Sequence, residues 1–431
     1  MAVATAMPDA VKAVNGLGAY AWAFNGVVIA TLLATVVGGD LSDRRGPRDP
    51  LIYGLLVFTI GLLVCATATV MPVFVLGRVL QGLGGGAAIV AVYVVVARGY
   101  KAELRPQVFS ALAAAWVVPS LVGPLIAGAV AEWVTWRAVF LLVIPFVMVA
   151  IWLVLPLVTS VNGPGAATDG DEASTFKRSG RTRWAVVLAV AAVLVQDGGR
   201  RLGVVGAVEA LVGLAVVALA LRRLLPPGTL RLARGLPSAV ASRGVLAGAF
   251  FGAQAFVPLM LVDQRGLSLT VAGLSLTTSS LGWFVGSWWQ GRPDIDVNRD
   301  ALVLVGAIAV LVGIAGMAAT VLLPLPTVMA AASWAIGGFG MGITVPSVNV
   351  RVLAMSSVPE QGANSAALQL GDGSGILACT AAAGAIYALG GQVVGQQAAT
   401  FVTLFLAMTL ICVLAVVAAL RIPAGDLVAR R

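Results

Sequence analysis

No histidine occurs anywhere in this chain. Any proton chemistry near neutral pH therefore has to use carboxylates, because imidazole is the side chain that titrates there unaided. Charge is scarce as well: Asp, Glu, Lys and Arg make up 10% of the 431 residues, where a soluble domain carries about a quarter. Lysine stands only at positions 12, 101 and 177. The three cysteines, Cys65, Cys379 and Cys412, all fall in apolar runs and share no ligand spacing, which argues against a disulfide framework or a zinc site. A Gly-Lys-Ser/Thr phosphate loop is also missing, so nothing supports ATP-driven chemistry. No catalytic residue and no metal site is expected; the chain does not read as an enzyme.

What it has instead is apolar length. Hydrophobic residues are 60% of the chain and the mean hydropathy is +1.00, which leaves too little polar surface to face water all round. An all-α, multi-span membrane protein is expected, since in lipid each backbone N–H and C=O must be bonded within its own segment. Apolar stretches of about 20 residues fall at 20–38, 51–71, 73–97, 107–131, 138–160, 183–196, 203–222, 241–261, 269–290, 300–320, 325–350, 363–389 and 397–420. Their number is odd, which is awkward for a fold of paired repeats.

The net charge of +9 invites a nucleic-acid reading, and the distribution of charge removes it. Of the 27 Lys and Arg, only Lys12, Arg137, Arg200, Arg201 and Arg265 fall on the side opposite the 39–50 loop, and Arg78 lies within a run. Positive charge marks the cytoplasmic side of a membrane protein. The 39–50 loop and the polar segments 161–182 and 223–240 are therefore expected inside, and Asp197 to Arg200 outside.

Three motifs carry the functional signal. Residues 39–48 read Gly-Asp-Leu-Ser-Asp-Arg-Arg-Gly-Pro-Arg, a short charged hinge between two apolar runs. This hinge resembles the loop between helices 2 and 3 of major facilitator superfamily transporters, whose pattern is G-x-L-a-D-r-x-G-r-k. Gly39, Leu41, Asp43, Arg44 and Gly46 match it, with Pro47 in place of a basic residue. Arg78, Gln81 and Gly82 are similar to that family's fourth-helix motif R-x-x-q-G, whose arginine is linked to proton movement. An arginine inside an apolar span is costly and functional by default. Pro119, Gly123, Pro124 and Gly128 resemble the fifth-helix antiporter motif, with Ala129 replacing its last glycine, and Trp136-Arg137-x-x-Phe140 follows as in the family. Met1 to Pro8 resembles the outer end of the first helix of drug/proton antiporters, so the first helix is expected to be a stub.

The resemblance implies a fourteen-helix major facilitator fold. Residues 1–160 would form an N-terminal bundle, 161–182 a cytoplasmic linker, 183–222 an extra helix pair, 223–240 a second linker, 241–420 a C-terminal bundle and 421–431 a cytoplasmic tail. It implies a multi-pass protein of the cell membrane, a proton-coupled exporter of small amphipathic compounds such as drugs, working by alternating access as a monomer. It would need no cofactor beyond a proton gradient, and its partners would be a small-molecule substrate and the lipid bilayer. The alternatives are an exporter of a lipid or secreted metabolite, and a truncated, non-transporting membrane protein. By the same resemblance, Gly39, Asp43, Arg44, Arg45, Gly46 and Arg48 would form a conformational latch, with Asp43 against the N-terminal end of a helix starting near Asn364.

One carboxylate stands apart. Asp372 lies about 14 Å into its run, near the middle of a hydrocarbon core about 30 Å thick. It sits within Gly371-Asp372-Gly373-Ser374-Gly375, where the glycines would permit water access or a local break. Asp372 and Arg78 are the expected proton-coupling residues; an Asp capping a broken helix is the structural alternative. Glu132 and Glu209 are expected to be solvated or structural. Asn25, Gln254, Phe256, Trp283 and Asn349 are candidates for lining a substrate cavity, or equally for packing helices.

Overall fold

The computed structural model describes residues 7, 10–11, 13–14, 20–161, 172–200, 204–267, 269–292, 298–323, 325–390 and 397–422. Among these, the α-helices in chain order are α1 (Tyr20–Arg45), α2 (Arg48–Thr67), α3 (Met71–Gly99), α4 (Arg105–Trp133), α5 (Trp136–Val161), α6 (Glu172–Arg200), α7 (Val204–Leu224), α8 (Leu236–Gln254), α9 (Val257–Arg265), α10 (Leu269–Gln290), α11 (Arg299–Leu322), α12 (Thr327–Ala354), α13 (Gln361–Gly390) and α14 (Gln397–Leu420). Eight stretches among the described residues are long and apolar enough to cross a membrane. Large apolar side chains such as Phe146, Trp152 and Leu153 of α5 are exposed, as hydrocarbon solvent allows.

Several helices outrun the apolar runs that announce them. The polar stretch 172–182, expected as linker, is the first part of α6. Glu, Lys, Arg and Ala are good helix formers, and extending an existing helix is far easier than nucleating one. Likewise α8 starts at Leu236, with Pro237 in its first turn, where a missing N–H costs nothing. This puts Arg243 well inside a helix rather than at the edge of one. The same span breaks at Ala255 and Phe256 before α9, whose first turn holds Pro258.

The chain divides into two compact units. The first comprises Met1–Lys101, Val118–Pro227 and Ser356–Leu370; the second comprises Ala102–Val117, Gly228–Met355 and Gly371–Arg431. The division does not fall between sequence halves: the start of α4 groups with later helices, and the start of α13 with earlier ones. In the first unit Phe74, Trp136 and Phe140 form an edge-to-face cluster with centroids 6.0, 5.7 and 6.1 Å apart, with Met7, Ala10 and Val11 buried in the same core. Arg137 leaves this cluster to donate to the Ala68 carbonyl, 3.0 Å away, just past the end of α2.

In the second unit Phe250 stacks on Trp334 at 4.9 Å. Pro346 lies inside α12 and has no N–H for the carbonyl of Gly342 one turn earlier. The Ser287 hydroxyl of α10 donates to that carbonyl instead, at 3.1 Å.

Candidate functional site

The charged hinge is built on the end of α1. Asp43 is buried, 3% exposed, and its two carboxylate oxygens accept from the first backbone N–H groups of α13: Gly362 at 2.8 Å and Ala363 at 3.0 Å. These N–H groups have no partner within their own helix and carry the positive end of its dipole. Arg98, at the end of α3, stands 3.8 Å from the same carboxylate. Close backbone approach makes this possible: a Cβ on Gly39 would lie 2.6 Å from the Gly362 carbonyl oxygen. Gly46, with φ of +89°, turns the chain into α2.

The hinge arginines do not join Asp43. Arg44 pairs with Asp40 at 3.2 Å, and Arg44, Arg45 and Arg48 are exposed. The cation that does meet Asp43, Arg98, was hidden from sequence reasoning because it stands at the end of a different apolar run.

Arg78 lies half-buried in α3 and donates to the Gln81 side-chain oxygen at 2.5 Å. Gln81 in turn donates to the Gly61 carbonyl and the Cys65 sulfur of α2, each at 3.3 Å. The fourth-helix motif thus forms a polar chain between α3 and α2. Pro119, Gly123, Pro124 and Gly128 lie in α4; their side chains fall outside the described residues, as does that of Asn25 in α1.

In the second unit Asp372 sits in an unbroken α13. Of the two outcomes the glycines would permit, a local break is absent, and the glycines serve packing: a Cβ on Gly244 of α8 would lie 2.8 Å from the Gly371 carbonyl oxygen, and one on Gly248 would lie 2.7 Å from that of Gly375. Small residues spaced four apart on both helices let the backbones touch, which brings Arg243 onto Asp372. Its Nε lies 2.8 and 2.9 Å from the two carboxylate oxygens and its Nη2 lies 2.5 Å from Oδ2. Nη1 donates to the Asn349 side chain at 2.6 Å and to the Val345 carbonyl at 3.4 Å, both in α12. The Arg243 side chain is 6% exposed and that of Asp372 16%, so the pair is largely buried. A second buried pair joins Arg351 to Asp300 at 2.8 Å.

Asn349 is therefore a ligand of Arg243. Trp283 packs against Phe250 and Phe251, Phe256 packs against Tyr387, and Gln254 ends α8 half-buried. Arg243 was missed because the charge count assigned it to a loop; the stripe Gly244, Gly248, Gly252 beside it was the available signal.

Comparison with known proteins agrees with this architecture. Residues 1–349 match the Major Facilitator Superfamily. The multidrug efflux pump SdrM of Staphylococcus aureus is 24% identical over 72% of this chain and 69% of its own length. Multidrug resistance protein 3 of Bacillus subtilis is 23% identical over 72% of this chain, which spans only 61% of that protein. A bacterial homologue of the iron transporter ferroportin, solved in an outward-facing state, superposes with a TM-score of 0.70 over 97% of this chain and 95% of its own, at 14% identity; that likeness speaks for the fold alone. The chain belongs to the Major Facilitator Superfamily, whose members are multi-pass membrane proteins that carry small molecules by secondary transport, and it is a transporter rather than an enzyme.

Proposed function

We propose that this protein is a proton-coupled exporter of small amphipathic compounds, of the fourteen-helix drug/proton antiporter type, working by alternating access in the cell membrane. The observation that carries the reading is the buried Arg243–Asp372 pair between apolar helices. Ionisable side chains at such depth are expensive and mark ion or substrate pathways. Proximity to relatives named for multidrug efflux and resistance supports the substrate class, and the packing of α6 on α7 supports an extra helix pair.

In this mechanism Asp372 is the proton site. Ionised, it holds Arg243 by a charged fork and ties α13 to α8. A proton reaching the carboxylate removes its charge, while Arg243 keeps its bonds to Asn349 and the Val345 carbonyl. Helix α13 is then freer to move. The first turn of the same helix is held by the Asp43 carboxylate, so the latch and the proton site both act on α13. Arg78 and Gln81 would set the polar path in the first unit.

The test is transport by the full chain in proteoliposomes carrying an imposed proton gradient. A fluorescent amphipathic cation should accumulate against its gradient and leak back when the proton gradient is collapsed. Accumulation indifferent to the gradient would overturn proton coupling.

A further inference from the structure

A cleft of about 400 Å³ opens between α1 and α6, lined by Val37, Asp40, Leu41, Arg44, Thr182 and Arg183. The four α1 residues recur at helical spacing on one face, a different face from the one that presents Gly39 and Asp43 to α13. Asp40 is engaged by Arg44, and Arg183 is exposed with no carboxylate bonded to it among the described residues. The cleft is therefore cationic on balance. Beside it the Arg223 guanidinium lies 5.8 Å from the centre of the Trp184 ring, and Arg222 and Arg223 end α7.

Polarity changes along the cleft in a telling order. Arg44 stands at the end of α1 and Val37 two turns before it. The net positive charge therefore lies toward the helix end, Asp40 being paired with Arg44, and the apolar Leu41 and Val37 run back along the helix. That is the profile of a phospholipid, with a charged headgroup and an aliphatic chain. Free phosphate would use the arginines and leave the apolar wall bare. The geometry points to a site for an anionic phospholipid, its phosphate between Arg44 and Arg183 and an acyl chain along Leu41 and Val37. Basic groups at a membrane surface attract such lipids.

Occupancy has a route to the hinge. Arg181, on the same turn as Arg183, donates to the Leu224 carbonyl of α7 and to the Ala363 carbonyl of α13, each at 3.3 Å. Ala363 is also a donor to Asp43. A bound lipid would steady the part of α6 that holds the start of α13, and so bias the latch. This regulatory consequence rests on reading Asp43 as a latch; lipid binding itself does not.

The experiment is native mass spectrometry of the purified full chain titrated with phosphatidylglycerol, with phosphatidylcholine as a second lipid. Phosphatidylglycerol should be retained in preference, and R183Q should weaken its retention about fivefold, the scale of one basic residue at an anionic surface. R292Q, which removes an exposed arginine resting on Trp288, should leave it unchanged. Equal retention by R183Q and the unsubstituted chain would overturn the site, as would equal retention of phosphatidylcholine. Displacement of the lipid by inorganic phosphate at millimolar concentration would also overturn it, reducing the cleft to a simple anion site.

Discussion

Arg243 grips Asp372 with two nitrogens while its third, Nη1, is held by Asn349. Every part of the guanidinium is thus occupied by groups from two other helices. Charge pairs this deep gain little over well-packed apolar residues, yet removing one partner alone leaves an uncompensated buried charge.

From that follows a stability prediction. Arg243→Met should destabilise the protein by about 3–5 kcal/mol and lower its unfolding temperature in detergent. The double variant Arg243→Met with Asp372→Asn should recover most of the loss. Arg243→Lys should fall between them, because an ammonium cannot reproduce the fork. If the double variant is as unstable as the single one, the pair is not what fixes α13 to α8.

Asp43→Asn keeps the shape and an acceptor oxygen but removes the charge facing the α13 dipole. A charge–dipole contact of this kind contributes about 1 kcal/mol, so the conformational balance should shift roughly fivefold. Transport per molecule should fall while the protein still accumulates in the membrane. Wild-type transport by this variant counts against the latch.

The glycine contact offers an independent test of the same device. Gly39→Ala would place a Cβ 2.6 Å from the Gly362 carbonyl oxygen, pushing α13 off Asp43, and should reproduce the Asp43→Asn transport defect. Gly85→Ala, whose nearest neighbour would be a Phe58 ring carbon at 3.8 Å, should behave as wild type. Equal transport by both variants would mean that close approach at Gly39 is not needed.

Orientation can be read with single cysteines at Gly170, Gly198 and Leu230, in a chain lacking Cys65, Cys379 and Cys412. A membrane-impermeant reagent on intact cells should label position 198 alone. Labelling at 170 or 230 would invert the topology.

Much of the architecture was legible because lipid imposes a simple grammar. Runs of apolar residues announce helices, and the 39–48 and 78–82 motifs fall at the junction of α1 with α2 and within α3. Less legible was whatever depends on two distant segments meeting. Arg98 and Asp43 are separated in sequence by two helices, and nothing local marks them as neighbours. Arg243 read as an edge residue because the apolar run seemed to begin at 241; the helix start at Leu236 made it a core residue. The glycines around Asp372 suggested a break because Gly is a poor helix former in isolation, whereas here a facing glycine stripe on α8 turns them into a packing seam.

The most direct measurement is substrate-induced proton release in proteoliposomes, comparing the unsubstituted protein with Asp372→Asn. With Asp372 as the proton site, the unsubstituted chain releases protons when an amphipathic substrate is added. The Asn variant should release none, and its gradient-driven export should drop at least tenfold while substrate binding persists. Proton release and export at wild-type levels in Asp372→Asn would contradict the account.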